Sequence, residues 1–298
     1  MRAFVTGGQG FVGTWLQDHL RESGDDVVEA DSQLDITDSE GLGRALVDAA
    51  PDAVYHLAAL THVGQSWSQP EEVFRVNAGG TLNLMEAAHR CPSPPRVLLT
   101  SSAEVYGAVK PEDLPLTEQS PLLPVSPYAA SKVAAEFLGV QAHLGHGLPV
   151  IRARSFNHIG PGQAPSFAVS GLAKRIIEAE RAGEKELRVG NLRPRRDFTD
   201  VRDVVRAYRL LVLRGEPGNV YNVSSGVDVA IEDIARRLMS IAGSALDLVV
   251  DPSLERPADI PVLRGDSTLL RSVTGWRPTL PLDVTLGDVL DRWRAAGG

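Results

Sequence analysis

The sequence predicts a doubly wound α/β fold: a parallel sheet with helices on both faces, joined to a smaller α/β lobe. Three observations carry this expectation. Through the first 155 residues, short apolar runs without polar alternation take turns with amphipathic segments, as strands buried on both faces do. The glycine cluster Gly7-Gly8-Gln9-Gly10-Phe11-Val12-Gly13 separates the first apolar run from the first amphipathic segment. After Asn157 the alternation loosens, starting at Gly160-Pro161-Gly162.

In order, Ala3–Thr6 reads as a buried strand and Thr14–Glu22 as a helix. Val27–Asp31 is the second strand. Ser39–Ala49 is helical, with Leu42, Leu46 and Val47 on one side. Ala53–Leu57 is a strand and Val73–Arg90 one long helix. Arg96–Ser101 is a strand, Pro127–His143 a helix, and Val150-Ile151-Arg152 opens another strand. Further on, Phe167–Ala182 is helical. Gly218–Val223 reads as a strand returning to the main sheet, and a helix near Val284–Ala295 closes the chain. The pattern predicts a dinucleotide-binding unit over 1–155, rejoined by about 198–225, and a lobe over 156–298 that mainly binds substrate.

Composition narrows the function classes. The chain has 298 residues, 43% hydrophobic and 23% charged, which is ordinary for a soluble globular protein. Its net charge is -8 with no basic block, so no nucleic-acid footprint is expected. No apolar run approaches the roughly 18 residues of a membrane span, and the first residues are too short for a signal-peptide core. Cys91 is the single cysteine, so no internal disulfide forms, which fits a reducing cytoplasm. The seven histidines show no metal-ligand spacing. His143 and His146 are three apart without a carboxylate or cysteine to join them, and no metal is predicted.

Two motifs carry chemistry. Gly8-x-Gly10-x-x-Gly13, placed between a strand and a helix, matches the dinucleotide fingerprint of a Rossmann sheet. Small residues let the backbone approach a pyrophosphate, and the helix N-terminus offers free N–H groups to it. Asp31 lies 18 residues after Gly13, where an acid accepts from ribose hydroxyls and repels a 2′-phosphate. That favours NAD over NADP, with Ser32 as the alternative ribose partner. The second motif is Ser126-Pro127-Tyr128-Ala129-Ala130-Ser131-Lys132. Ser126 caps a helix that Pro127 opens, and Tyr128 and Lys132 share one face. A nearby ammonium is expected to lower the phenol's pKa and ready it for proton transfer.

With these pieces in place the chain resembles the extended short-chain dehydrogenases/reductases that act on nucleotide sugars. The resemblance rests on Thr6-Gly7-Gly8-x-Gly10-Phe11-x-Gly13, His56-Leu57-Ala58-Ala59, Asn77-Ala78-Gly79-Gly80-Thr81, Ser101-Ser102-x-Glu104-Val105-Tyr106-Gly107 and Tyr128-x-x-x-Lys132, in that order. In the second half, Ser155–Gln163, Val189-Gly190-Asn191-Leu192, Arg196–Asp203, Arg256-Pro257-x-Asp259-Ile260 and Thr274-Gly275-Trp276 are most similar to the GDP-4-keto-6-deoxy-D-mannose reductases. The GDP-mannose 4,6-dehydratases come next.

The resemblance implies site residues. Catalysis falls to Ser102, Tyr128 and Lys132, with Glu104 in the position of a dehydratase base. Cofactor contacts fall to Gly7, Gly10, Phe11, Val12, Gly13, Asp31, Asp35, Ile36, Leu57, Ala58, Ala59 and Asn77, besides Tyr128 and Lys132. For Asn77 a helix cap is the alternative. Substrate contacts fall to Ser102, Asn157, Lys174, Arg196, Arg256 and Asp259. Arg196 and Arg256 suit a pyrophosphate because a guanidinium fork matches phosphate oxygens. Arg193 and Arg195 are also compatible with solvated surface, and Asp259 with a surface loop. The implied function is an NAD(P)-dependent reductase of a nucleotide-linked, preferably GDP-linked, 4-keto-6-deoxyhexose that makes GDP-D-rhamnose. A dehydratase, a 4-epimerase and a non-catalytic cofactor-binding protein are the alternatives. A homodimer is expected from the resemblance alone.

Overall fold

Six parallel strands in the order β2-β1-β3-β4-β5-β9 form the central sheet of the computed structural model. It describes residues 1–29, 34–251 and 260–296. Asp31, Arg256 and Asp259 therefore lie outside the described residues. The first half runs β1 (Arg2–Thr6), α1 (Phe11–Glu22), β2 (Asp26–Glu29), α2 (Ser39–Ala49), β3 (Ala53–His56), α3 (Val63–Ser66), α4 (Pro70–Phe74), α5 (Gly80–Arg90), β4 (Arg96–Ser102), α6 (Pro127–His146) and β5 (Val150–Ser155). The chain leaves β1 toward β2, then crosses to β3 on β1's other side. This reversal opens a crevice beyond the carboxyl ends of β1 and β3, where such sheets bind ligands.

The second half runs β6 (Asn157–Ile159), α7 (Ala168–Ala182), β7 (Glu186–Val189), β8 (Arg195–Asp200), α8 (Val201–Arg214), β9 (Val220–Val223), β10 (Asp228–Ala230), α9 (Ile231–Ala242), β11 (Asp247–Val250), β12 (Val262–Leu263), α10 (Thr268–Thr274) and α11 (Leu282–Ala296). Strands β10, β8 and β12 form a small sheet, and β6 also pairs with β8. Helices α7, α9 and α11 bury Ile176, Leu238 and Leu290 in a core of their own.

The chain returns to the main sheet twice. Helix α8 and β9 place Val204, Tyr208 and Tyr221 in the same core as Leu16 and Ile151. Strand β8 stays in the small sheet, so this return starts at Val201, slightly later than the expected 198. The second return is Trp276, fully buried in that core, whose indole N–H donates to the Asp203 carbonyl at 2.9 Å.

Three element expectations need correction. Helix α1 starts at Phe11 rather than Thr14, because the helical turn begins inside the glycine cluster. The long helix begins at Pro70 and contains a π-helical turn at Arg75–Gly79. Val47 is 47% exposed. The buried stripe of α2 is Leu42, Leu46 and Ala49, spaced four and three apart, and Val47 is rotated off it by one residue.

Candidate active site

A cavity of about 920 Å³ lies over the carboxyl edge of the sheet, between the loops after β1, β3, β4 and β5 and the face of α7. Its floor is the glycine turn. Gly7 has φ +71, and a Cβ there would sit 2.8 Å from the Ala58 nitrogen. A Cβ on Gly13 would sit 2.2 Å from the Gly7 carbonyl oxygen. These two glycines let β1, α1 and the β3 loop meet backbone to backbone. Gly10 caps α1 without a side-chain acceptor, which leaves the first N–H groups of a twelve-residue helix facing the cavity. The cradle and its free donors fit a dinucleotide pyrophosphate.

Below this floor lies a buried polar chain. His56 is fully buried, with Nδ1 2.8 Å from Thr6 Oγ1 and Nε2 3.1 Å from Thr81 Oγ1. Thr81 donates to the Asn77 carbonyl, so its oxygen accepts from Nε2–H. Thr6 then donates to Nδ1 and accepts from the Ala58 N–H at 3.3 Å. One tautomer thus satisfies every group. Burial, and next the Lys132 charge, push the imidazole down to about 3, so it is neutral. The His56 carbonyl in turn accepts from Thr100 Oγ1.

Ser102 ends β4, and its Oγ accepts from the Glu104 N–H at 3.2 Å. Ser126 caps α6 by accepting from the Ala129 N–H, and Pro127 opens the helix. Tyr128 and Lys132 then face the sheet, 7% and 6% exposed. Tyr128 lines the cavity beside Ser102 and Glu104, whereas Lys132 lies beneath, its ammonium donating to the Thr100 carbonyl at 2.7 Å. Burial pushes the Tyr128 phenol up, a hydrogen bond with Ser102 opposes this, and the Glu104 charge adds to it. The expected lowering by Lys132 is not realised: loss of hydration sets the direction, and the charges that bear on the phenol are those of Glu104 and Tyr208. Burial also lowers Lys132 to about 8, with the Glu136 charge pulling the other way.

Comparison with known proteins places this geometry. The family model described as GDP-mannose 4,6 dehydratase matches residues 31–289. The chain belongs to the GDP-mannose 4,6-dehydratase family. It is 38% identical over 297 residues to the GDP-6-deoxy-D-mannose reductase of Pseudomonas aeruginosa, covering 99% of this chain and 97% of the relative. The solved structure of RMD from Pseudomonas aeruginosa complexed with NADPH superposes with TM-score 0.93 at 37% identity, covering 99% of each chain. A GDP-mannose 4,6-dehydratase of Vibrio cholerae is 28% identical over 287 residues, covering 86% of this chain and 76% of that protein. The family's members are NAD(P)-dependent extended short-chain dehydrogenases/reductases, and the fold and glycine cradle agree with that membership.

Most residues expected from the family resemblance converge. Gly7, Gly10, Phe11, Val12 and Gly13 line the cavity from one side, with Leu57, Ala58 and Ala59 beside them. Asn157 and Arg196 line it from the other. Arg196 donates to the Ile260 carbonyl at 2.7 Å, which fixes its guanidinium at the rim.

Besides Lys132, which lies beneath it, four do not line it. Asp35 is exposed and accepts from the Thr37 N–H and hydroxyl, each at 2.8 Å. Ile36 is buried in the α2–α5 core, filling the space that a side chain on Gly80 would take. Asn77 is neither cap nor liner. From the π turn its amide pairs with both backbone groups of Leu60 and donates to Ser131 Oγ at 2.9 Å, tying the β3 loop to α6. Lys174 points away from the cavity, 3.5 Å from Glu178 and over the Trp293 ring.

The basic residue that α7 does bring to the cavity is Arg175, which the sequence reading missed. The signal was available: Ala168, Gly171, Leu172 and Arg175 follow the spacing of one helix face, and all four line the cavity. His62 and Phe167 were also missed. Their rings approach to 6.1 Å and join the β3 loop to the α7 entry.

Proposed function

We propose that this protein is an NAD(P)H-dependent reductase of a nucleotide-linked 4-keto-6-deoxyhexose, converting GDP-4-keto-6-deoxy-D-mannose to GDP-D-rhamnose. The observation that carries the reading is full-length similarity to GDP-6-deoxy-D-mannose reductase together with Ser102 and Tyr128 at the cavity and Lys132 beneath it. The reduced nicotinamide supplies hydride to C4 when bound. Tyr128, held protonated by burial, gives its Oη proton to the C4 oxygen, so one ketone becomes one alcohol. Ser102 donates to the same oxygen and orients it. Lys132, fixed on Thr100, places a positive charge beneath the phenol and stabilises it as the proton leaves.

Arg175 and Arg196 enter the cavity from α7 and β8 and suit the substrate pyrophosphate, with Asn157 between them and the sheet edge. For the cofactor, Asp31 supports NADH, while the NADPH in the Pseudomonas aeruginosa structure supports the phosphorylated form. Titrating both reduced cofactors decides between them. A homodimer through the outer face of α5 and α6 is part of the proposal. Leu82, Phe137 and Leu144 stand there 42%, 57% and 78% exposed, and sedimentation of Phe137→Asp against wild type tests it.

One observation favours a second reading. Glu104 lines the cavity near Tyr128, where a dehydratase keeps its C5 base. Two assays separate the readings. A reductase consumes one NAD(P)H per GDP-4-keto-6-deoxy-D-mannose. A dehydratase converts GDP-mannose to the ketone with no net cofactor consumption. We expect consumption in the first assay and no ketone in the second. Ketone from GDP-mannose without activity in the first would overturn the reductase reading.

A further inference from the structure

We propose that Glu136, with Arg154 behind it, is the positioning residue that keeps the Lys132 ammonium charged and fixed against β4. Glu136 follows Lys132 by one helical turn on the buried face of α6 and is 1% exposed. The two side chains grip adjacent positions of one strand. Lys132 donates to the Thr100 carbonyl at 2.7 Å, and Glu136 accepts from Ser101 Oγ at 2.8 Å. The next residue of that strand is Ser102. The lateral position of the strand under the cavity is therefore set by two opposite charges on the same helix.

The carboxylate is held in one orientation. Arg154 from β5 donates to it through Nη2 at 2.5 Å and through Nε at 3.1 Å, and Arg152 adds a contact at 3.3 Å. Arg154 is anchored in turn by the Tyr106 hydroxyl and the Glu118 carbonyl. Donors from Ser101, Arg152 and Arg154 thus surround the carboxylate, which suits its charged form with charge-assisted hydrogen bonds.

Lys132 depends on that charge. Burial alone drives a lysine toward its neutral form, and the Glu136 charge opposes this. The other titratable groups around it do not. Tyr128, on the same helix, is held protonated, and His56 on β3 is neutral. Arg152 and Arg154 on β5 are cationic, and Glu104 beyond β4 bears on Tyr128. The charge that bears on Lys132 is that of Glu136. The Glu136–Arg154 pair so acts as a switchless charge clamp, distinct from a pair that merely fills the core.

Lysine NMR tests this without substrate. The chain has four lysines, Lys110, Lys132, Lys174 and Lys185, so 13C-labelled side chains give a sparse spectrum. Loss of one signal in Lys132→Met assigns Lys132. Glu136→Gln should lower its midpoint by about one pH unit or more. Glu136→Asp keeps the charge and should stay closer to wild type. Glu136→Gln with Arg154→Gln removes the buried pair together, the change such sites tolerate best, and should lower the midpoint by less than the single replacement.

An unmoved midpoint in folded Glu136→Gln, or an aspartate that shifts it as far as glutamine, overturns the proposal. Should Glu136→Gln not fold, the double variant decides, and an unmoved midpoint there overturns it equally. The part that Lys132 plays in turnover rests on the reductase reading above, but the NMR midpoint does not. Under both readings, the alkaline loss of turnover in Glu136→Gln moves down with the midpoint. A moved midpoint with an unmoved rate profile removes Lys132 from the reaction and leaves the clamp standing.

Discussion

The two walls of the cavity are built on different principles. The wall over β1, β3 and β4 is made of backbone: Gly7, Gly10 and Gly13, the Leu57–Ala59 loop, and the neutral chain through His56 that holds them in register. The wall from α7 and β8 is made of long side chains, Arg175 and Arg196, standing on elements with a separate core. A backbone wall tolerates few residues at few spacings. A side-chain wall needs only a cation somewhere within reach. The first is therefore rigid and motif-bound, the second adjustable to the substrate.

The sharpest break falls where the walls meet. Tyr128→Phe removes one oxygen from the cavity without touching either wall. Turnover should drop roughly a hundredfold or more, while cofactor affinity stays within a few-fold. Stopped-flow reduction and a fluorescence titration check the two halves of that statement. Near-wild-type turnover would remove Tyr128 from the chemistry.

Gly13→Ala breaks the backbone wall. The added carbon would meet Gly7 carbonyl oxygen at 2.2 Å and the Gly8 backbone at 2.7 Å, with no flexible end to move. Overpacking of this kind costs about 1–3 kcal/mol. Thermal unfolding should come earlier, and cofactor binding should weaken with it. Gly43→Ala is the control, since nothing lies within 4 Å of the added carbon.

The buried chain gives the backbone wall a pH signature. His56 is lowered from 6.5 to about 3 in the folded protein. The unfolded chain then binds more protons between these values, so stability rises with pH across this window. Its contribution is complete above pH 6.5 and declines as pH falls toward 3. His158, half-buried at the cavity wall and also lowered by loss of hydration, adds in the same sense. Urea midpoints should fall on acidification, and less steeply in His56→Asn than in wild type. Equal slopes would mean that the imidazole does not stay neutral in the fold.

The same contrast explains what was legible in the sequence. The strand–glycine–helix start, the alternation of strands and helices that makes a parallel sheet, and the Tyr128–Lys132 face were readable because each has a fixed spacing or period. Asn77 was readable as important but not as to its use. Its pairing with Leu60 depends on a π turn, and nothing in a helical pattern announces one. The raised Tyr128 phenol was missed because spacing reports which charge is near but not how much water is gone. On the side-chain wall, family similarity pointed to Lys174, and one residue of register on α7 separates it from Arg175.

That register gives the smallest and most discriminating prediction. Lys174 and Arg175 are neighbours of the same charge, so composition, long-range field and helix propensity treat them nearly alike. They differ by about 100° of rotation. Arg175 faces the cavity. Lys174 instead contacts Glu178 at 3.5 Å, with both side chains partly exposed, and lies 5.6 Å from the centre of the Trp293 ring. Contacts of that type are worth about 0.5–1 kcal/mol each at most. Arg175→Ala should raise KM for the nucleotide sugar by about tenfold, the scale of one charge-assisted phosphate contact, and leave cofactor affinity unchanged. Lys174→Ala should leave KM within twofold or so and lower stability by about 1 kcal/mol or less. If the lysine variant raises KM and the arginine variant does not, α7 is rotated by one residue from the arrangement described. The substrate wall would then follow the family alignment rather than the helix face.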